Sequence, residues 1–171
     1  MGQKKKILKL FFEQSAKSFQ IREIAKLTKI PKTTVSRHIN ILLKEKLIKK
    51  EKKGIFPSYK SNETNFYYKF YKKIYFLEDI YKTELIEYLE KNLYPKSIIL
   101  FGSFAKAEYI KDSDIDIFIQ AKEQSIDLSK FEKKLKHKIH LFFEENLNNL
   151  SKELFNNIIN GIKLAGYIKV K

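Results

Sequence analysis

Apolar residues recur along this chain first at helical spacing and later in strand-like runs. Ile7, Leu8, Phe11 and Phe12 form the first helical stripe. Ile21, Ile24, Ala25 and Leu27 predict a short helix from about Arg22 to Thr28. Lys29-Ile30-Pro31 reads as a tight turn. Pro31 favours a new helix, because its missing N–H is not needed at a helix start. That helix runs to about Lys44, with Val35, Ile39, Leu42 and Leu43 inward. Its other face presents Thr33, Ser36, Arg37 and Asn40 at i, i+3, i+4 and i+7, with Lys32 at its N-terminal end. Leu47 to Lys53 predicts a strand, Gly54 a turn and Ser58-Tyr59-Lys60 a returning strand.

Residues 63–92 contain no Gly or Pro. Phe66, Phe70, Ile74, Leu77, Tyr81, Leu85 and Tyr88 recur at steps of four and three, close to a heptad. The expectation is a connector helix, breaking near Leu77-Glu78-Asp79, then a helix packed on a sheet. A coiled-coil dimer seam is the alternative, and stacking of bases on the tyrosines is a weaker one. Pro95 ends the helical region. Ser97 to Phe101 is a short apolar run and predicts a buried strand. Gly102-Ser103 makes a turn, Phe104 to Glu108 starts a short helix, and Lys111-Asp112-Ser113 is a polar turn. Asp114 to Ile119 then alternates as a strand, as does Lys138 to Phe143. Leu147 to Asn160 predicts a helix with Leu150, Leu154, Ile158 and Ile159 inward, and the segment after Gly161 a final strand. The fold class expected is α+β. The domains expected are a winged helix-turn-helix over 1–62, a connector helix over 63–80 and a mixed-sheet domain over 81–171.

Charge sharpens the first segment. Of the 171 residues, the first 60 hold 17 Lys and Arg against 4 Glu, and the remainder 18 Lys against 16 Asp and Glu. Nearly all of the formal charge of +15 therefore belongs to the first third. That imbalance points to a polyanion for this part, or else to solvated lysine faces. There is no Cys, which excludes disulfides, thiolate metal sites and a cysteine nucleophile. The basic opening MGQKKKILKLFFEQ mimics a signal peptide, but its apolar run stops at Glu13. No stretch approaches the ~20 apolar residues of a membrane span. A cytoplasmic protein without membrane contact is expected.

Two short helices joined by a tight turn, followed by a basic hairpin, describe a helix-turn-helix with a wing. The phrase EIAKLTKIPKTTVSRHINILLKEKLI resembles the winged helix-turn-helix domains of prokaryotic regulators. Lys29 and Lys46 stand where such domains often carry Gly. On the functional reading Lys32, Thr33, Ser36, Arg37 and Asn40 contact DNA, with Arg37 and Asn40 at base edges. Lys52 and Lys53, at the wing tip, would neutralise phosphates. The alternative is a packing or dimerisation module whose face is merely polar.

Asp114 and Asp116 share one face of their strand while Ile115, Ile117 and Ile119 point to the other. Two neighbouring carboxylates repel unless they are solvated or neutralised by a cation. Gly102 lets the backbone approach a phosphate, and Ser103 adds a hydroxyl donor. Hard oxygen ligands beside a phosphate site suit Mg²⁺. The Gly-Ser pair, ten residues, then Asp-x-Asp resembles the signature of the DNA polymerase β-like nucleotidyltransferases, above all the minimal ones of archaea and bacteria. The resemblance spans about Lys96 to Gln120. It implies a Mg²⁺-dependent (or Mn²⁺-dependent) transfer of a nucleotidyl group from an NTP to a hydroxyl. It assigns Gly102 and Ser103 to the triphosphate and Asp114 and Asp116 to metal and catalysis. A helical partner protein is a further implication, and a homodimer is a further expectation. Ala107 stands where many members have Gly. His140 stands where active members carry a third carboxylate, and an imidazole, ordinarily titrating near ~6.5, suits a general base there. The competing expectation is a DNA-binding regulator or antitoxin-like protein whose nucleotide site is weakly active or inactive.

Overall fold

A computed structural model describes residues 2–51 and 55–168. The chain divides into two compact units, Met1–Tyr75 and Phe76–Lys171. The class is α+β, as the patterning predicts.

The first unit contains α1 (Gln3–Glu13), α2 (Ile21–Thr28), α3 (Lys32–Lys44), β1 (Ile48–Glu51) and β2 (Ser58–Ser61). Ile7, Leu8, Phe11 and Phe12 of α1 are buried with Ile24, Val35, Ile39 and Leu42. This is the core that the helical stripes predict, except that Leu27 is exposed and Ile21, Ala25 and Leu43 are half-buried. β1 and β2 pair antiparallel, Ile48 opposite Ser61 and Glu51 opposite Ser58. Phe19 and Tyr59 exchange backbone hydrogen bonds of 2.8 and 2.9 Å and so tie the start of α2 to the hairpin. The wing-tip residues Lys52 and Lys53 lie outside the described residues.

Lys29 and Lys46 end their helices in the left-handed region, with φ of 56° and 57°. These are the two positions where the resemblance led us to expect Gly. A side chain there costs roughly 1–2 kcal/mol, which the turn geometry imposes on the surrounding packing to offset.

Helix α4 (Phe66–Lys82) runs through the division, with residues 66–75 in the first unit and 76–82 in the second. Two expectations are corrected here. The helix does not break at Leu77-Glu78-Asp79 but after Lys82. Thr83 Oγ1 donates to the Ile80 carbonyl at 2.6 Å and accepts from the Leu85 N–H at 3.3 Å, while Glu84 adopts φ 65°. These local bonds replace the helical ladder and start α5 (Leu85–Leu93). Nor is the heptad stripe the core face. Tyr68, Phe76 and Ile80 are buried, whereas Phe66 (75% exposed), Phe70, Ile74 and Tyr81 face solvent. On the buried row the Tyr68 hydroxyl donates to the Phe11 carbonyl at 2.7 Å.

The second unit is a four-stranded sheet in the order β5-β4-β3-β6. β3 (Ser97–Phe101) leads through α6 (Gly102–Lys106) into β4 (Ile115–Ile119). α7 (Ser129–Leu135) precedes β5 (Ile139–Phe143), and α8 (Lys152–Ile159) precedes β6 (Ile162–Gly166). β3 is antiparallel to β4 and β6, while β4 and β5 are parallel. Ile115, Ile117 and Ile119 are fully buried on one sheet face. On the other, Ile99, Phe101, Phe118 and Ile158 form a cluster capped by Leu147, Leu150 and Leu154. The predicted helix from Leu147 is instead a single 3₁₀ turn, Leu147–Asn149, followed by α8. Ser151 caps α8 by accepting from the Leu154 N–H, which sets the later start.

Candidate functional site

The acids, the glycine and the histidine converge at the junction of β3, α6, β4 and β5. Phe101 pairs with Asp116 across the antiparallel ladder, and Asp116 lies alongside His140 in the parallel one. Alternation then puts Asp114, Asp116 and His140 on one face of the sheet. His140 Nε2 stands 3.8 Å from Asp114 Oδ2, and its Nδ1 3.9 Å from Asp116 Oδ1.

Gly102 follows β3 with φ 68°, in the left-handed region that glycine adopts without steric cost. A Cβ built there would collide with Asp116 Oδ2 and stand 3.3 Å from Asp116 Cγ. The Asp116 carboxylate is thus packed directly on the Gly102 backbone. Gly102 and Ser103 form the first turn of α6, where a preceding turn was expected. α6 ends at Ala107 with φ 58°, the third position where Gly was expected and the left-handed region is used without it.

The loop that delivers Asp114 is held from both sides. Ser113 Oγ accepts from the Ile110 N–H at 2.9 Å. His137 Nδ1 contacts the Ser113 carbonyl at 2.7 Å and, facing an acceptor, carries the proton. The Ile115 N–H donates to the Lys138 carbonyl at 2.8 Å. His137 was not singled out by the sequence. It acts through a carbonyl 24 residues away, and only its nearness to the predicted strand hinted at it.

In the first unit Lys32, Thr33, Arg37 and Asn40 are exposed and Ser36 is half-buried, all on one side of α3. α3 contains no acidic residue. Three acids of this unit are engaged elsewhere: Glu45 with Lys4 and Glu23 with Lys17, each at 2.7 Å, and Glu13 with Lys9 at 3.8 Å. His38, on the other side of α3, has both ring nitrogens buried without a hydrogen-bond partner among the described residues. Burial, then the charges of Arg37 and Lys4, hold its pKa below the usual value.

Residues 83–166 match the family model described as Polymerase beta, Nucleotidyltransferase, and residues 2–50 match that of the Bacterial regulatory protein, arsR family. The chain joins a helix-turn-helix domain to a nucleotidyltransferase-family domain. No curated protein and no solved structure matches it.

In the nucleotidyltransferase-family domain the surroundings of Asp116 disfavour its charge. Burial raises the Asp116 pKa, the nearby His140 lowers it and Asp114 raises it again, with a net upward shift. A raised carboxyl pKa means that the folded state binds more protons than the unfolded one between the two pKa values. The ionised form therefore costs stability in full above the folded pKa, and the cost vanishes below the ordinary value near 3.8. Asp116→Asn is expected to raise the midpoint of thermal unfolding at pH 7, without nucleotide or metal, and the gain should shrink as the pH falls toward 4. Scanning calorimetry across pH tests this. A variant less stable than the native chain at pH 7 would show that the carboxylate is held by favourable contacts instead.

Proposed function

We propose that the C-terminal domain transfers a nucleotidyl group from an NTP to a hydroxyl acceptor and that the helix-turn-helix domain binds DNA. The observation that carries the first part is the Asp116 carboxylate packed on the Gly102 backbone, with Asp114 and His140 beside it. It supports reading the Gly102 turn as phosphate-binding and Asp116 as a metal ligand beside it. Two same-face carboxylates, one with its pKa raised, are a donor set suited to a divalent cation, so the residues fit the Mg²⁺ or Mn²⁺ that the family uses. Asp114 and Asp116 would hold it, and when bound it would polarise the phosphoryl oxygens and neutralise developing charge.

Within this reading Gly102 and Ser103 position the triphosphate. The acceptor oxygen forms a bond to the α-phosphorus, the bond to the β-phosphate oxygen breaks, and pyrophosphate leaves. The acceptor's proton passes to a base or to solvent.

Lys32, Thr33, Ser36, Arg37 and Asn40 form the DNA-reading face, with Lys52 and Lys53 of the wing on phosphates. Among the described residues no helix is long and apolar enough to cross a membrane. A DNA-bound role supports the cytoplasmic location expected from the sequence. The exposed Phe70 and Ile74 on α4 support self-association or docking of a helical partner.

A second reading keeps DNA and nucleotide binding with little or no turnover, as in a nucleotide-responsive regulator or antitoxin-like protein. Its support is His140 at the register position beside Asp116, where the resemblance implies a third carboxylate.

The experiment is thermal stabilisation by each NTP with and without Mg²⁺, for the native chain and for Asp114→Asn. A ligand saturating the folded state at about 100 times its Kd adds ~2.7 kcal/mol. Mg²⁺-dependent stabilisation is expected in the native chain and not in Asp114→Asn. No stabilisation at millimolar NTP would remove the nucleotide site from both readings.

A further inference from the structure

Helix α4 buries one row of side chains and leaves an apolar row uncovered. Tyr68, Lys72, Phe76 and Ile80 are buried. Tyr67, Phe70, Ile74 and Tyr81 are exposed by 60%, 46%, 41% and 44%, and Leu77 among them is half-buried. The helical repeat puts the two rows on opposite sides of the helix. The outer row recurs at steps of three, four, three and four, which is the a and d spacing of a heptad. From Tyr67 to Tyr81 it runs ~21 Å along the axis. Singly exposed apolar residues are ordinary, but a continuous row of them marks a docking face.

The flanking positions say what covers it. With Tyr67, Ile74 and Tyr81 at a and Phe70 and Leu77 at d, Phe66 and Lys73 fall at g and Tyr71 and Glu78 at e. In a parallel, in-register pair, each g position meets the e position of the partner's next heptad. Phe66 then meets Tyr71 and Lys73 meets Glu78, an aromatic pair and an opposite-charge pair, each formed twice. An antiparallel pair sets g against g and e against e and loses that complementarity. Glu78 also contacts Lys82 one turn on, but an exposed pair of this kind contributes little and does not bar a second cation. Ile74 at a followed by Leu77 at d is the combination that favours two strands.

We propose that α4 pairs with α4 of a second copy of this chain as a short parallel coiled coil. This rests on the reading of α4 as a self-association face and names the second copy as its occupant, in place of a different helical partner. The two flanks of the one helix complement each other, which self-pairing requires and docking of an unrelated helix does not. The interface is isologous, so each a and d residue meets its own counterpart. The pair presents two copies of α3, and the DNA that suits them is a two-fold repeat.

The test uses the full chain without nucleotide or DNA. Sedimentation equilibrium should show a monomer–dimer equilibrium. Ile74→Glu sets two carboxylates face to face in the seam and should weaken the dimer about 30-fold or more. Circular dichroism checks that this variant folds. The chain has no cysteine, so a single introduced thiol reports one position. Tyr67→Cys should cross-link to its counterpart under mild oxidation, because only a parallel pair brings the two N-terminal ends of the seam together. Lys69→Cys, exposed but off the seam, should not. A native chain that stays monomeric at its highest soluble concentration overturns the inference and the self-association reading with it, and leaves nucleotide transfer and DNA binding to their own tests. A dimer unchanged in a folded Ile74→Glu keeps self-association and overturns this face. If Ile74→Glu does not fold, cross-linking decides alone: a dimer in which Lys69→Cys links as fast as Tyr67→Cys overturns the seam.

Discussion

Gly102→Ala is expected to abolish NTP-dependent stabilisation, with at least a ~100-fold loss of nucleotide affinity, and to leave DNA binding by the helix-turn-helix domain unchanged. Two penalties act at once. Gly102 sits at φ 68°, where an L side chain pays roughly 1–2 kcal/mol. The added methyl also meets Asp116 Oδ2, the end of a partly exposed side chain, so relief requires that carboxylate to move. Either the turn opens or Asp116 swings away from Asp114 and His140, and both separate the phosphate turn from the acids. At 1.4 kcal/mol per tenfold, about 3 kcal/mol corresponds to the expected loss. The assay is nucleotide titration by calorimetry beside a gel shift. Native-like nucleotide affinity in Gly102→Ala would show that the triphosphate is held elsewhere. Simultaneous loss of DNA binding would show general unfolding.

The local parts of this architecture were legible because they depend on neighbours in sequence. Helical stripes gave α1, α2 and α3, and the alternation after Asp114 put two acids on one face of β4. The left-handed turns were legible as departures: Lys29, Lys46 and Ala107 stand where Gly was expected, and all three take positive φ. The α4 segment was misread because its sequence, FYYKFYKKIYFLEDIYK, is aromatic on several sides. A heptad row and a row at steps of four both fit it. Tertiary contacts, such as that of Tyr68 with the Phe11 carbonyl 57 residues away, decide which row is buried. His137 was invisible for the same reason. Its role comes from a strand pairing that brings residues 113 and 137 together, and no local period encodes that. The nearness of His140 to both acids likewise follows from the parallel pairing of β4 with β5.

Arg37→Ala is expected to weaken binding to genomic fragments selected by the native chain by about 10- to 100-fold, as for loss of one bidentate base contact worth 1–3 kcal/mol. Arg37 is exposed on the side of α3 shared with Thr33 and Asn40, and α3 has no acid to neutralise it. Lys32→Ala should act differently. A phosphate contact weakens all sequences alike and lowers the slope of log affinity against log salt by about 1. Arg37→Ala should in addition relax the discrimination between selected and unselected fragments. Fluorescence anisotropy at several salt concentrations separates the two. If Arg37→Ala changes only the salt slope, Arg37 is a phosphate contact and sequence is read elsewhere, with Asn40 the next candidate. If neither substitution changes affinity while the native chain still binds, α3 is not the reading helix. The basic charge of the first third would then act through the wing. A native chain whose DNA binding survives high salt would contradict both assignments, because neutralised phosphates must release counterions and make affinity fall steeply with salt.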